Sequence, residues 1–360
     1  MNGQTKKERI FYYDLLRAFA IFCILACHIF AQYVNKTDIF ATKFWYYALF
    51  LNCLRDIGVP LFVVLSGSLL LDRKETLIKF AKKRLTRVVI PYLFWGIIFI
   101  LAFSFIFNKG SIIDIASNVF SIAPKGTANF FWFVPMILVT YAIIFMINKL
   151  NEYNSITLKI CLILSLIGII LINLKYLPMT KPIYYLYYSI FAIIGYYLSN
   201  VDLSGNKYFS LSDKKLMIIF LVFSILLYAV QVLTNASMCL ELHKFKTISQ
   251  FHLLNIIVVC CIFLFFRYFQ ANGGKIYSFV KKDPVLKIIY SISICSYGIY
   301  LCHIVIREML LNFVLYPIKG SMGITLFSTI TLILTFLTSW LLIAILSRIP
   351  VLDMLSGRVI

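Results

Sequence analysis

Long apolar stretches alternate with short polar ones along almost the whole chain. Ten stand out, near 12–33, 46–71, 88–107, 130–148, 157–174, 183–199, 216–233, 249–266, 286–306 and 322–347. Each holds about the 20 residues that an α-helix needs to cross a hydrocarbon core of about 30 Å. The pattern predicts an all-α, polytopic integral membrane protein of about ten transmembrane helices. The segments between the stretches are short, and the longest, around 108–129, cannot hold a soluble domain. Residues 1–360 are therefore read as a single membrane-embedded domain with no fused soluble domain.

Composition sharpens this picture. Of 360 residues, 62% are hydrophobic and only 13% charged, whereas a soluble domain has roughly 45–50% and about 25%. A soluble fold cannot hide that much apolar surface, so the solvent is lipid. Lys and Arg number 34 against 14 Asp and Glu, a net charge of +20. Cytoplasmic loops of membrane proteins collect such cations, which removes the case for a nucleic-acid partner. With the N-terminus inside, cytoplasmic segments hold 22 of the 34, including Lys6, Lys7, Arg9 and seven in 72–87; outer segments hold ten. Both termini are expected in the cytoplasm. Asp14 and Arg17 interrupt the first run and no small-residue cleavage site follows, so it is read as an uncleaved helix, not a signal peptide. Eight of the nine cysteines fall in apolar stretches without CxxC or Cys/His spacing, and no metal is expected.

Charges inside a span cost about 2.5–3.5 kcal/mol each on insertion scales, which makes them functional candidates. On the first helix, Asp14, Arg17 and His28 fall within an arc of about 60°, with a rise of about 16–17 Å from Arg17 to His28. Asp14 and Arg17, at i, i+3, can pair. Spacing alone leaves two readings, a functional stripe or an interfacial anchor with a histidine bonded to a neighbouring helix. His28 is the best catalytic candidate, because an imidazole cycles between base and acid near neutral pH. Arg55-Asp56 opens the second span, where Gly58 and Pro60 invite a helix break. The loop expected at Lys79–Arg87, with Lys83, Arg84 and Arg87, combines positive-inside charge with the fork geometry that suits phosphates. Late in the chain, His303 ends the ninth span, followed by Arg307 and Glu308; His303 is read as packing or substrate contact. His243 and His252 flank an outer loop and are read as solvated.

Several of these segments, taken in order, resemble the membrane acyltransferase type 3 family. Arg17 and His28 fit its Arg-x10-His pattern, preceded by Asp14. Pro60 to Gly67 resembles a segment usually written with two phenylalanines before Ser-Gly, with Val63 where the second Phe is common. Arg84 and Arg87 followed by Pro91-Tyr92 fit its Arg-x-x-Arg and proline pattern, and Phe131 to Pro135 its aromatic-proline start to the fourth helix. Tyr297 to His303 resembles its Tyr-Leu-x-His ending.

The resemblance implies a stand-alone bacterial O-acetyltransferase of the inner membrane. Acetyl-CoA, or another acyl-CoA, would be the donor and would need no metal. Its phosphates would meet Lys83, Arg84 and Arg87, with Asp14 and Arg17 supporting helix and cofactor. His28 would act as general base towards a hydroxyl of a cell-surface or lipid-linked glycan, or as a transient acyl carrier. Arg55, His303, Arg307 and Glu308 would lie on the acceptor side. A different class stays open at this point: a polysaccharide flippase, polymerase or export protein, using Arg17, Arg55 and Arg307 to guide a lipid-linked glycan without acyl transfer.

Overall fold

The computed structural model describes residues 9–178, 180, 183–203, 211–272, 274–317 and 322–358. Residues 1–8, including Lys6 and Lys7 of the charge count, lie outside these, as do Lys181, Lys207 and Lys319. The described residues are helical, with no strand among them. In chain order the long helices are α1 (Phe11–Val34), α2 (Lys43–Cys53), α3 (Arg55–Leu70), α4 (Leu77–Ile106), α5 (Phe133–Tyr153) and α6 (Thr157–Asn173). They continue with α7 (Ile183–Asn200), α8 (Asp213–Leu242), α9 (Leu253–Asn272), α10 (Asp283–Leu315) and α11 (Ile324–Leu346), and a short α12 (Pro350–Ser356) follows.

Eight helical segments among the described residues are long and apolar enough to cross a membrane, with α2 and α3 counting as one. The other two expected spans are present as α6, of 17 residues, and α7, whose six tyrosines dilute its apolar character. The protein is a multi-pass membrane protein. Ile163, Leu164 and Ile170 on α6, and Phe223, Ile225 and Leu226 on α8, are exposed, as a lipid-facing surface requires.

Helix α1 lies at the centre, packed against α2, α3, α9, α10 and α11. Its burial on several sides follows from small and branched residues such as Ala20, Ile21, Cys23, Ala26 and Ile29, all fully enclosed. Without a hydrophobic drive between helices in lipid, close approach depends on small residues. The α3–α7 crossing shows this best. A Cβ on Gly67 would overlap the Ala192 carbonyl, and one on Gly195 would overlap the Val64 carbonyl. Backbone meets backbone there, and the Ser68 hydroxyl donates to the Gly195 carbonyl at 2.7 Å. Gly67, the glycine of the Ser-Gly motif, is thus a packing position.

Two sequence expectations are corrected. The break in the second span falls at Leu54 rather than at Gly58 or Pro60. At that point Asn52 donates its amide to the Cys27 carbonyl and the Cys53 thiol accepts from Asn235. The break places Asp56 in the first turn of α3, where the helix dipole favours an acid. The stretch expected as a loop at 79–87 is helical and belongs to α4. Phe80 is buried there while its basic neighbours stay at the surface, so the segment is amphipathic rather than unstructured. Within α4 the turn at 85–89 is widened, with the Ile90 N–H bonding to the Leu85 carbonyl. Pro91 explains it: proline has no N–H and clashes with the carbonyl four residues back, and one extra residue in the turn relieves both problems. Such widened turns concentrate at functional sites.

Candidate functional site

The stripe on α1 exists, but its charges are shared differently from the simple pair. Asp14 is buried, and Arg9 grips it with two hydrogen bonds of 2.7 and 2.6 Å. Ser293 of α10 donates to it at 2.5 Å. Arg17 stands farther away, 3.5 Å from the same carboxylate. With Asp14 already satisfied, the Arg17 guanidinium is left to face a cavity.

That cavity has a volume of about 620 Å³, within the usual range for a small-molecule site. One part of its lining is basic: Arg17, Arg73, Lys74, Lys83, Arg84 and Arg87 line it, with Glu75 the acid among them. Local structure fixes these side chains. Asn148 of α5 pins the connection between α3 and α4, donating to the Leu70 carbonyl at 2.8 Å and accepting from the Asp72 N–H at 2.9 Å. The Arg84 guanidinium lies over the Phe80 and Tyr141 rings at 4.0 and 5.0 Å, a cation–π arrangement that leaves its edge N–H groups available. Tyr297 of α10 donates to the Val88 carbonyl at 2.9 Å, clamping the widened turn that carries Arg87. Lys83 is ion-paired with Glu75. Burial pulls the Glu75 carboxyl upward, but the Lys83 ammonium, with Arg84 and Lys79 beyond it, outweighs this and holds that acid below its ordinary range.

Away from the basic end the cavity becomes apolar. Ile24, Phe62, Phe133 and Tyr300 close it, and Phe133 packs on Phe62 and on Tyr300 at ring separations of 6.1 and 5.2 Å. His28 lies one turn beyond Ile24, about 6 Å further along α1, and is not part of the lining. It faces His303: the two imidazole rings are 5.1 Å apart, and Phe130 stands 6.2 Å from the first and 6.4 Å from the second.

The remaining predicted residues lie near this far end and are engaged with one another. Arg307 binds Glu308 at 2.6 Å and the His28 carbonyl at 3.1 Å, and Lys109 closes on the other carboxylate oxygen of Glu308. Arg55 pairs with the fully buried Asp56 at 3.1 Å and also reaches Thr247, while Gln231 of α8 donates to Asp56 at 3.3 Å. The structure thus brings Arg17, Lys83, Arg84 and Arg87 together at one cavity and His28, His303, Arg307 and Glu308 together beyond it, with Arg55 near His28 but engaged in its own ion pair. The cavity also recruits Ser66, the serine of the Ser-Gly segment, and Tyr141 and Asn148, which carried no signal in the sequence because their span reads as an ordinary apolar helix.

No curated protein and no solved structure matches this chain. A family model described as an acyltransferase domain matches residues 10–344, nearly the whole length. That span takes in the α1 stripe, both walls of the cavity and the histidine of α10. The chain belongs to the membrane acyltransferase type 3 family and is an acyltransferase.

Proposed function

We propose that the protein takes an acyl group, acetyl in the simplest case, from an acyl-CoA on the cytoplasmic side. It passes the group to a hydroxyl of a cell-surface or lipid-linked glycan at the outer side of a bacterial inner membrane. The observation that carries this reading is the cavity, lined by six cations together with apolar residues that include Ile24, which lies one turn before His28 on α1. Coenzyme A has matching chemistry: a phosphate-bearing head at one end and a thin pantetheine arm ending in the thioester. Arg17, Arg84 and Arg87 would bind the phosphates, because guanidinium forks suit them. The arm would run along Phe62, Ile137 and Tyr297 and pass the ring of Ile24, Phe133 and Tyr300 to His28.

In the reaction, one His28 nitrogen takes the proton of the acceptor hydroxyl as its oxygen attacks the thioester carbon. The C–O bond forms, the C–S bond breaks, and the departing thiolate receives a proton from the imidazolium. Proton transfer of this kind contributes typically 10²–10⁴-fold. Basic residues at one membrane face would set the orientation.

The test uses purified protein in lipid nanodiscs, labelled acetyl-CoA and a panel of glycan and lipid-linked sugar acceptors. Label should move to a hydroxyl of an acceptor with release of free CoA thiol. His28→Ala should stop transfer while leaving CoA binding intact. Transfer that persists without His28, or CoA binding that ignores the loss of Arg84 and Arg87 together, overturns the assignment.

A further inference from the structure

His303 is completely buried, and its two nitrogens are treated unequally. Nδ1 lies 2.6 Å from the Tyr300 carbonyl. A carbonyl oxygen carries no proton, so Nδ1 must donate, and in a neutral imidazole that makes Nε2 an acceptor. Tyr300 is itself fixed, its hydroxyl donating to the Phe130 carbonyl. The tautomer of His303 is therefore set by its own helix. Among the described residues Nε2 has no hydrogen-bond partner, and the atom is buried. A buried polar atom left in this way costs about 1–3 kcal/mol, and leucine at the same place would avoid that cost. An orphan acceptor of this kind calls for a reason.

The neighbouring ring supplies one. His28 lies 5.1 Å away, centre to centre, and the two planes are tilted by 40°. At that separation, rotation of one ring brings facing nitrogens to hydrogen-bond distance. Phe130 packs edge-on beside both rings.

We propose that His303 is the positioning residue for His28: its Nε2 accepts the His28 N–H, so that the other His28 nitrogen presents its lone pair to the acceptor hydroxyl. This rests on the acyl-transfer reading above and adds a role for the second histidine within it. The arrangement follows the logic of a base oriented by a third group, with a neutral imidazole where an acid often stands. When His28 gains the hydroxyl proton, its charge is spread over the N–H···Nε2 contact; when the thiolate takes that proton, both rings return to their starting state. His303 gains and loses nothing over the cycle. It does not touch the reacting carbon.

Turnover and donor binding are measured separately on purified protein for wild type, His28→Ala, His303→Leu, His303→Gln and the double variant His28→Ala/His303→Leu. Leucine fills the space without an acceptor, whereas the glutamine amide oxygen can accept near the place of Nε2. The expected result is a fall in kcat of about 10-fold or more for His303→Leu, with the KM for acyl-CoA unchanged and His303→Gln recovering most of the rate. In the His28→Ala background, His303→Leu should remove nothing further, since residues acting as a unit are not additive. If the leucine variant fails to fold, shown by lost donor binding, the glutamine variant decides: near-wild-type kcat supports the pair, and a rate as low as that of His28→Ala overturns it. Wild-type kcat in a folded His303→Leu, beside an inactive His28→Ala, overturns the pairing and leaves the acyltransferase reading standing. Absence of transfer in wild type that binds acyl-CoA overturns the reading and the pair together.

Discussion

Arg17 and Arg55 look alike in the sequence, each inside an apolar span and each close to an aspartate, yet they end in opposite circumstances. Asp14 is met by Arg9 and Ser293, so Arg17 keeps a guanidinium to offer the cavity. Asp56 depends on Arg55 itself, with Gln231 as helper. An intramembrane charge acts on a ligand when its counter-ion has been satisfied by something else. The same contrast runs through the whole bundle. At the basic end six cations and one acid surround a space; at the other end Arg307, Glu308 and Lys109 close on each other.

The largest test of this contrast is a pair of alanine variants. Arg55→Ala leaves Asp56 buried without its cation, a loss of about 3 kcal/mol, at the lower end for a buried pair because the Arg55 side chain is 33% exposed. Unfolding in detergent should shift accordingly, while the donor KM stays put. Arg17→Ala should do the reverse, raising the donor KM about 10-fold or more, as loss of a charged hydrogen bond to phosphate implies, with little change in unfolding. Exchange of these two phenotypes between the variants would refute the contrast.

A smaller effect is expected from Arg84→Ala combined with Arg87→Ala. The donor KM should rise roughly 10-fold, and its dependence on ionic strength should weaken, because fewer screened charges remain at the cavity. An unchanged donor dependence would reduce this segment to a topology signal.

The smallest effect belongs to Glu75. Its pairing with Lys83 occupies a cation that phosphate would otherwise use. Glu75→Gln should therefore lower the donor KM, by no more than about fivefold, since an ion pair near the surface is worth about 0–1 kcal/mol. The Glu75 pKa is depressed by Lys83, so the pairing is complete above the ordinary carboxylate value and is lost only as pH falls through the lowered one. Throughout the neutral range the factor should be constant. A factor that grows between mildly acidic and neutral pH would contradict the assignment.

Much of this was legible in the sequence because helices are local. A period of 3.6 residues puts Asp14, Arg17 and His28 on one face, and the apolar lengths announce the spans. What sequence reading missed was non-local. Arg9 lies five residues before Asp14, so no simple i, i+3 or i, i+4 rule pairs them, and Ser293 comes from another helix. The break at Leu54 arises from side-chain bonds to Cys27 and Asn235 on two other helices, which glycine and proline positions do not encode. His303 was read as packing or substrate contact because nothing along α10 reveals that its ring meets His28.

The most direct test of the central proposal, that the protein uses His28 as base to pass an acyl group to a hydroxyl outside the membrane, is mass spectrometry of surface glycans. Cells would express wild type or His28→Ala at matched levels. An acetyl increment present with wild type and absent with His28→Ala is the predicted result, and the modified glycan then names the acceptor. An increment of equal size with His28→Ala would contradict the account.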